Sequence, residues 1–261
     1  MQSSATPARQ TGLQLPTARP LVTYAFLVAI GIVFVAIYYF QQTADDPNIN
    51  PIFDFGVIDY TRVLVYGEWY RLFTAMFIHL SIAHIFFNAW ALYMFGRTVE
   101  GVFGHVRFAL VYLLGGLCGS LASLIIGRGA SAGASGAIFA ILAAEMVFLY
   151  WHRELLGERA GRALRELLII GGLNLGLGIL SNVSPSNSFG VIDNWAHIGG
   201  FIGGLLVSLM IAPRFAIQRD LDTLKVVDER PLSTRWPLAA IFALALIGIA
   251  LLAARSLPRP V

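Results

Sequence analysis

The stretch GASGAIFAILAAEMVFLYW, residues 133–151, makes two opposing demands. From Ala137 onward it is apolar apart from Glu145, and at about 1.5 Å per residue it approaches the ~30 Å of a bilayer's hydrocarbon. Its opening residues, Gly133, Ala134, Ser135 and Gly136, add almost no hydrophobic bulk to drive insertion. In lipid, small residues occur where a second backbone must approach closely. The segment therefore predicts a membrane helix whose first turn is pressed against another helix.

Working outward, apolar runs of helical length recur along the chain. The spans are expected at about 21–40, 83–101, 106–127, 134–151, 167–181, 195–212 and 236–254. The fifth is the shortest and is rich in glycine (Gly171, Gly172, Gly176, Gly178). Hydrophobic residues make up 57% of the chain and charged residues only 13%, well below the charged share of a soluble domain. The fold class is thus an all-α polytopic membrane protein. The single cysteine, Cys118, has no partner for an internal disulfide.

The net charge of +3 does not point to nucleic acid, because the cations sit in short loops between spans. Thirteen of the 18 Lys and Arg residues fall on the side of the N-terminus and five on the other. The positive-inside rule then places the N-terminus in the cytoplasm and, after seven spans, the C-terminus outside. A bacterial inner membrane suits this reading. Residues 1–20 read as a cytosolic tail, 21–213 as a six-span unit, 214–235 as a charged cytoplasmic linker, 236–254 as a seventh span and 255–261 as an external tail. Residues 41–80 form the longest external connection, with aromatic and charged residues suited to an interfacial position.

Polar groups inside spans are costly and mark function by default. Counting back from the nearest arginine on the N-terminal side places Ser135 roughly 27 Å and His197 roughly 26 Å from that face. His84 lies roughly 20 Å from it and Asn88 about 6 Å deeper. A serine hydroxyl and an imidazole thus share one depth on two helices. A serine needs such a base to take its proton, and a tetrahedral intermediate needs donors on its oxyanion. His84 and Asn88 are four apart and share a helix face. The amide of Ser135 lies in a first turn, where amides lack intrahelical acceptors and the dipole favours negative charge. Gly199, Gly200, Gly203 and Gly204 follow His197, so the fourth and sixth spans have the means to touch.

Four ordered pieces carry a family resemblance. They are GEWYRLFTAMFIHLSIAHIFFNAWAL (67–92), GRTVEGVFGHVRFALVY (96–112), GASG (133–136) and NWAHIGGFIGG (194–204). Together they resemble the rhomboid intramembrane serine proteases over about residues 55–213. The resemblance implies a six-helix rhomboid core followed by one C-terminal transmembrane helix. It implies Ser135 as nucleophile and His197 as general base, with His84, Asn88 and the Ser135 amide as oxyanion hole. Gly133, Gly136, Gly200 and Gly204 would allow close packing, and Phe139 would lie against the imidazole. The family's Trp-Arg pair appears as Tyr70-Arg71, with Trp69 one position earlier. The implied activity is cleavage of transmembrane segments near the outer leaflet, with single-span or polytopic membrane proteins as substrates. The fifth span would be the lateral gate.

Blander readings accompany these. Ser135 alone would be a helix cap or packing serine, and His197 a structural histidine. Asp193, four before His197, is an alternative third member of a triad but more simply faces water at the helix start. His79 suits backbone satisfaction in its loop. His105 and His152 read as solvated, and Glu100, Arg97 and Arg107 as an inner-face network. His79 and His84 are five apart without the Glu of a His-Glu-x-x-His zinc site, so no metal and no cofactor are expected. Two other classes compete: a non-catalytic rhomboid-like adaptor that binds client helices, and a small-solute channel.

Overall fold

The computed structural model describes residues 15–43, 50–183, 192–220 and 223–257. Most of the expected N-terminal tail and the end of the C-terminal tail lie outside these residues. Helix α1 covers Leu21–Thr43. Three short helices follow: α2 (Pro51–Gly56), α3 (Tyr60–Leu64) and α4 (Arg71–Thr74), the last running into a 3-10 turn, Ala75–Phe77. Next come α5 (Ile82–Phe103), α6 (His105–Ala122) with a π-helical turn at Ser123–Gly127, α7 (Ser135–Trp151), α8 (Arg153–Leu156), α9 (Glu158–Val183) and α10 (Asn194–Ile211). A hairpin of β1 (Phe215–Asp220) and β2 (Thr223–Asp228) leads to α11 (Leu232–Ser256). The seven long helices fall at the seven expected positions, and the all-α polytopic reading is borne out. Five are long and apolar enough to cross a membrane by themselves, while α5 joins the Arg71–Phe77 segment across a 92° bend. α7 is shorter, at 17 residues.

Local chemistry fixes the starts. Ser81 caps α5 by accepting from the His84 amide at 3.1 Å, and Asn50 and Asp59 cap α2 and α3 in the same way. Gly104, with φ of 76°, makes the tight corner from α5 to α6.

Three helices form the centre. α6, α7 and α10 pack on one another, and α7 is buried from Gly136 through Ala144. Glycine lets these backbones meet: a Cβ at Gly119 would lie 2.6 Å from the Ala196 carbonyl oxygen, and one at Gly199 would lie 2.9 Å from that of Cys118. The outer helices α1, α9 and α11 instead expose Val35, Leu173 and Leu244, each about two-thirds accessible, as lipid-facing helices should. α1 is tied to the bundle by Glu100 of α5. This fully buried carboxylate accepts from the Val22 and Thr23 amides at 2.8 and 2.7 Å and from the Thr23 hydroxyl at 2.6 Å, satisfying the orphan donors at the α1 start.

The structure corrects three expectations. The fifth span is not short: α9 runs for 26 residues. Its first nine residues include Arg159, Arg162, Arg165 and Glu166, which end an apolar run without ending a helix. The charged linker, read without secondary structure of its own, holds the antiparallel β1–β2 pair, with Phe215 opposite Asp228 and Asp220 opposite Thr223. His152 is not solvated; it is 1% exposed, its Nδ1 on the Phe148 carbonyl and its Nε2 accepting from the Phe215 amide. His105 is half exposed, in keeping with a solvated position, and its Nδ1 also lies 2.6 Å from Glu100.

Candidate active site

Ser135 opens α7. The residue before it, Ala134, offers no side-chain cap, so the amides of the first turn keep their donors unspent by a capping group. Gly133 holds φ at 129°, a value that L side chains avoid, and a Cβ there would lie 2.7 Å from Nε2 of His84. The glycine thus serves both the backbone turn and the approach of the imidazole.

His197 sits on the second turn of α10, 3% exposed, with its ring stacked on Phe139 at 4.4 Å between centroids and 13° between planes. Phe139 is one helical turn past Ser135, on the same face of α7. Beneath the ring the two helices touch backbone to backbone. A Cβ at Gly136 would lie 3.1 Å from the Ala196 carbonyl oxygen, and one at Gly200 would overlap the Gly136 carbonyl. Gly204 meets Ala140 in the same way one turn further on. The structure therefore brings the first turn of α7 and the His197 turn of α10 into one interface. Among the described residues, Nδ1 of His197 has no hydrogen-bond partner.

On the other side lies α5. The Leu80 amide donates to Nδ1 of His84 at 3.4 Å, which assigns the ring proton to Nε2, the nitrogen facing Gly133. Asn88, buried, gives one amide hydrogen to the His84 carbonyl at 2.9 Å and retains a second donor. His79 packs edge-on against His84 at 4.9 Å and accepts from the Ala134 amide at 3.4 Å, the backbone role expected of it. A small cavity is lined by Ser135 itself together with Ser120, Ser131, Gly133, Gly136 and Ala196.

A family model for the rhomboid domain matches residues 66–214, more than half of the chain. The chain belongs to the rhomboid family. It is 35% identical to Rhomboid protease GluP of Bacillus subtilis (strain 168) over 190 residues, 73% of this chain and 34% of that protein. It is 33% identical to RHOMBOID-like protein 1 of Arabidopsis thaliana over 189 residues, 70% of this chain and 46% of the relative. RHOMBOID-like protein 7 of the same plant is also 33% identical, over 70% of this chain and 57% of its own length. The match thus spans from a third to somewhat over half of these curated relatives.

Two features of this rhomboid's site escaped sequence reading. The first is Asp193. It is partly exposed, and among the described residues its carboxylate makes no hydrogen bond with the imidazole. One carboxylate oxygen caps α10 by accepting from the Ala196 amide at 3.0 Å, and the other accepts a short hydrogen bond from the Ser123 hydroxyl in the π-helical turn. The second is how the loop before Ser135 is held. Ser131 and Ile58 exchange backbone hydrogen bonds at 2.9 and 3.1 Å, and the Gly133 amide donates to the Ala75 carbonyl at 2.9 Å. The connection between α1 and α5 is itself locked by Arg71, 1% exposed, whose guanidinium bonds Glu68 and the carbonyls of Asp54 and Val57. Backbone-to-backbone stitches leave no residue signature. The Asp193–Ser123 bond joins positions 70 apart, both of types common at caps and turns.

Proposed function

We propose that this rhomboid is an intramembrane serine endopeptidase working through a Ser135–His197 dyad. The reading rests above all on the His197 ring stacked on Phe139, one turn from Ser135, where the backbones of α7 and α10 touch at Gly136 and Gly200. In the proposed reaction Oγ of Ser135 attacks the scissile carbonyl carbon, and Nε2 of His197 takes the hydroxyl proton. The carbonyl π-bond pair moves to the oxygen, where Nε2–H of His84, the Asn88 amide and the Ser135 backbone N–H supply donors. Collapse breaks the C–N bond, and the imidazolium passes its proton to the leaving amine. A water, deprotonated by His197, then releases the acyl group and restores Ser135. An imidazole with no acceptor at Nδ1 suits a dyad better than a triad.

Substrates are proposed to be transmembrane segments of other proteins, cut near the outer leaflet after lateral entry beside α9. The N-terminus is placed in the cytoplasm of a bacterial cell, with residues 21–213 as the catalytic core and α11 as an appended seventh span. The reading is supported by the name of a 35% identical relative, a rhomboid protease, and by the charge bias of the loops.

The test is cleavage of a single-span reporter by the purified protein in liposomes. Ser135→Ala and His197→Ala should each lose on the order of 10³-fold or more in kcat. A serine-directed fluorophosphonate should label the parent and not Ser135→Ala. Parent-like cleavage by both variants overturns the dyad, and reporter binding without cleavage by the parent returns the adaptor reading.

A further inference from the structure

Glu145 is the one charged side chain in α7, and the proposed reaction does not use it. Its Oε2 is buried and, among the described residues, has no hydrogen-bond partner; the described ion pairs do not include it either. Arg153, the first cation past the helix, is eight residues on, so the carboxyl lies about 12 Å inside that face. An ionisable group at such a depth is costly and calls for a partner.

Its neighbours fix where it stands around α7. Leu142 faces α9: a Cβ at Gly171 would lie 3.9 Å from Cδ2 of Leu142. Phe148 faces α5, with its ring centroid 6.2 Å from that of Phe103. Glu145 is three residues from each and so projects about 60° from both, midway between the α9 side and the α5 side. α7 packs on both helices, and among the described residues no comparable packing joins α5 to α9. The partly exposed Glu145 therefore stands at the seam between them. Ser135, Ile138, Leu142 and Glu145 also follow the i, i+3, i+7, i+10 spacing of one helical stripe. The carboxyl is thus about 15 Å below Ser135 on the same side of α7, with apolar side chains between.

We propose that Glu145 is a specificity-determining residue, whose carboxyl hydrogen-bonds an uncharged polar side chain of the substrate helix on the inner side of the scissile bond. The proposal rests on the reading of Ser135 as nucleophile and of α9 as the side of entry. A helix laid along the stripe covers 15 Å in about ten residues, and fewer where the chain is extended near the cut. The polar residue therefore falls about six to ten residues from the scissile bond. Asn, Gln, Ser and Thr fit, because such side chains bond across helices in lipid, whereas a charged partner would itself be costly to carry into the span.

The experiment compares single-span reporters with an external N-terminus. One has Leu throughout the six positions around this depth, and the others carry a single Asn at each in turn. Binding to the full-length Ser135→Ala protein in nanodiscs, read by energy transfer from a labelled reporter, needs no cleavage. One Asn reporter should bind about threefold or more tighter than the Leu reporter, the effect of one interhelical hydrogen bond in lipid. Adding Glu145→Leu should erase that difference, and Glu145→Gln, which keeps an acceptor, should retain it. With Ser135 restored, the same ratio should appear in KM and not in kcat. Glu145→Leu should also unfold at no lower temperature than the parent, because it removes a buried polar atom without a partner. No Asn preference at any position overturns the proposal, as does a preference that survives Glu145→Leu or a fall in its unfolding temperature. A preference that depends on Glu145 in a protein that neither cuts nor takes a fluorophosphonate supports this helix contact and sinks the dyad alone.

Discussion

At the scale of single residues, the site depends on what is missing from glycine. A Cβ at Gly200 meets the Gly136 carbonyl, whereas one at Gly172 of α9 meets nothing within 4 Å. Gly200→Ala should therefore spread α7 from α10 and lower kcat by roughly 10²-fold, since misplacing a reacting group by about 1 Å has that effect. Gly172→Ala should leave reporter cleavage within a few-fold of the parent. Asp193 separates two roles just as sharply. As a cap and tether it needs acceptors, which asparagine supplies in part, so Asp193→Asn should lose only a few-fold in kcat/KM. Asp193→Ala should lose about 1 kcal/mol of stability in a thermal unfolding series. A loss near 10⁴-fold in kcat for Asp193→Asn would instead make it a triad acid. The residues expected to meet were legible because each belongs to a short motif. The Asp193–Ser123 bond was not, because nothing in either local sequence names the other.

Among elements, helices were read well and the hairpin was missed. Apolar runs of about 20 residues announce themselves, but β1 and β2 are six residues each and carry Arg219, Lys225 and Asp228, so they pass for linker. The same masking shortened α9, whose charged first turns continue the helix beyond its apolar stretch. That leaves α9 a long helix lightly held on α10: Gly178 abuts Asn194, whose amide donates to the Leu175 carbonyl at 3.2 Å. The hairpin is latched by His152, which is neutral in the folded protein: Nδ1–H donates to Phe148, and Nε2 accepts from Phe215. Burial lowers its pKa, reinforced by Arg214 and opposed by the Phe148 carbonyl and Asp228. A histidine with a lowered folded pKa contributes fully above its ordinary value of about 6.5 and loses that contribution as pH falls below it. Hydrogen exchange at the Phe215 amide should accelerate as pH drops from 7.5 to 5.5, after correction for intrinsic rates. Exchange that stays flat over this range would mean that the latch does not titrate.

The whole molecule is ordered by polarity along its axis, and that order makes a testable demand. Gly129, exposed in the loop before α7, and Glu154, exposed just beyond it, lie at opposite ends of the same helix. In a Cys118→Ala background on intact cells, an impermeant thiol reagent should modify Gly129→Cys and spare Glu154→Cys. The reverse pattern would invert the proposed orientation.

The Glu100 tether has a consequence for biosynthesis. Its partners, Val22 and Thr23, are made 78 and 77 residues earlier. At about 5–20 residues per second, the opening amides of α1 wait roughly 4–16 s for their acceptor. During that interval the ribosome-bound chain holds a first span without its anchor, so an insertase or chaperone has several seconds in which to hold α1 before α5 arrives.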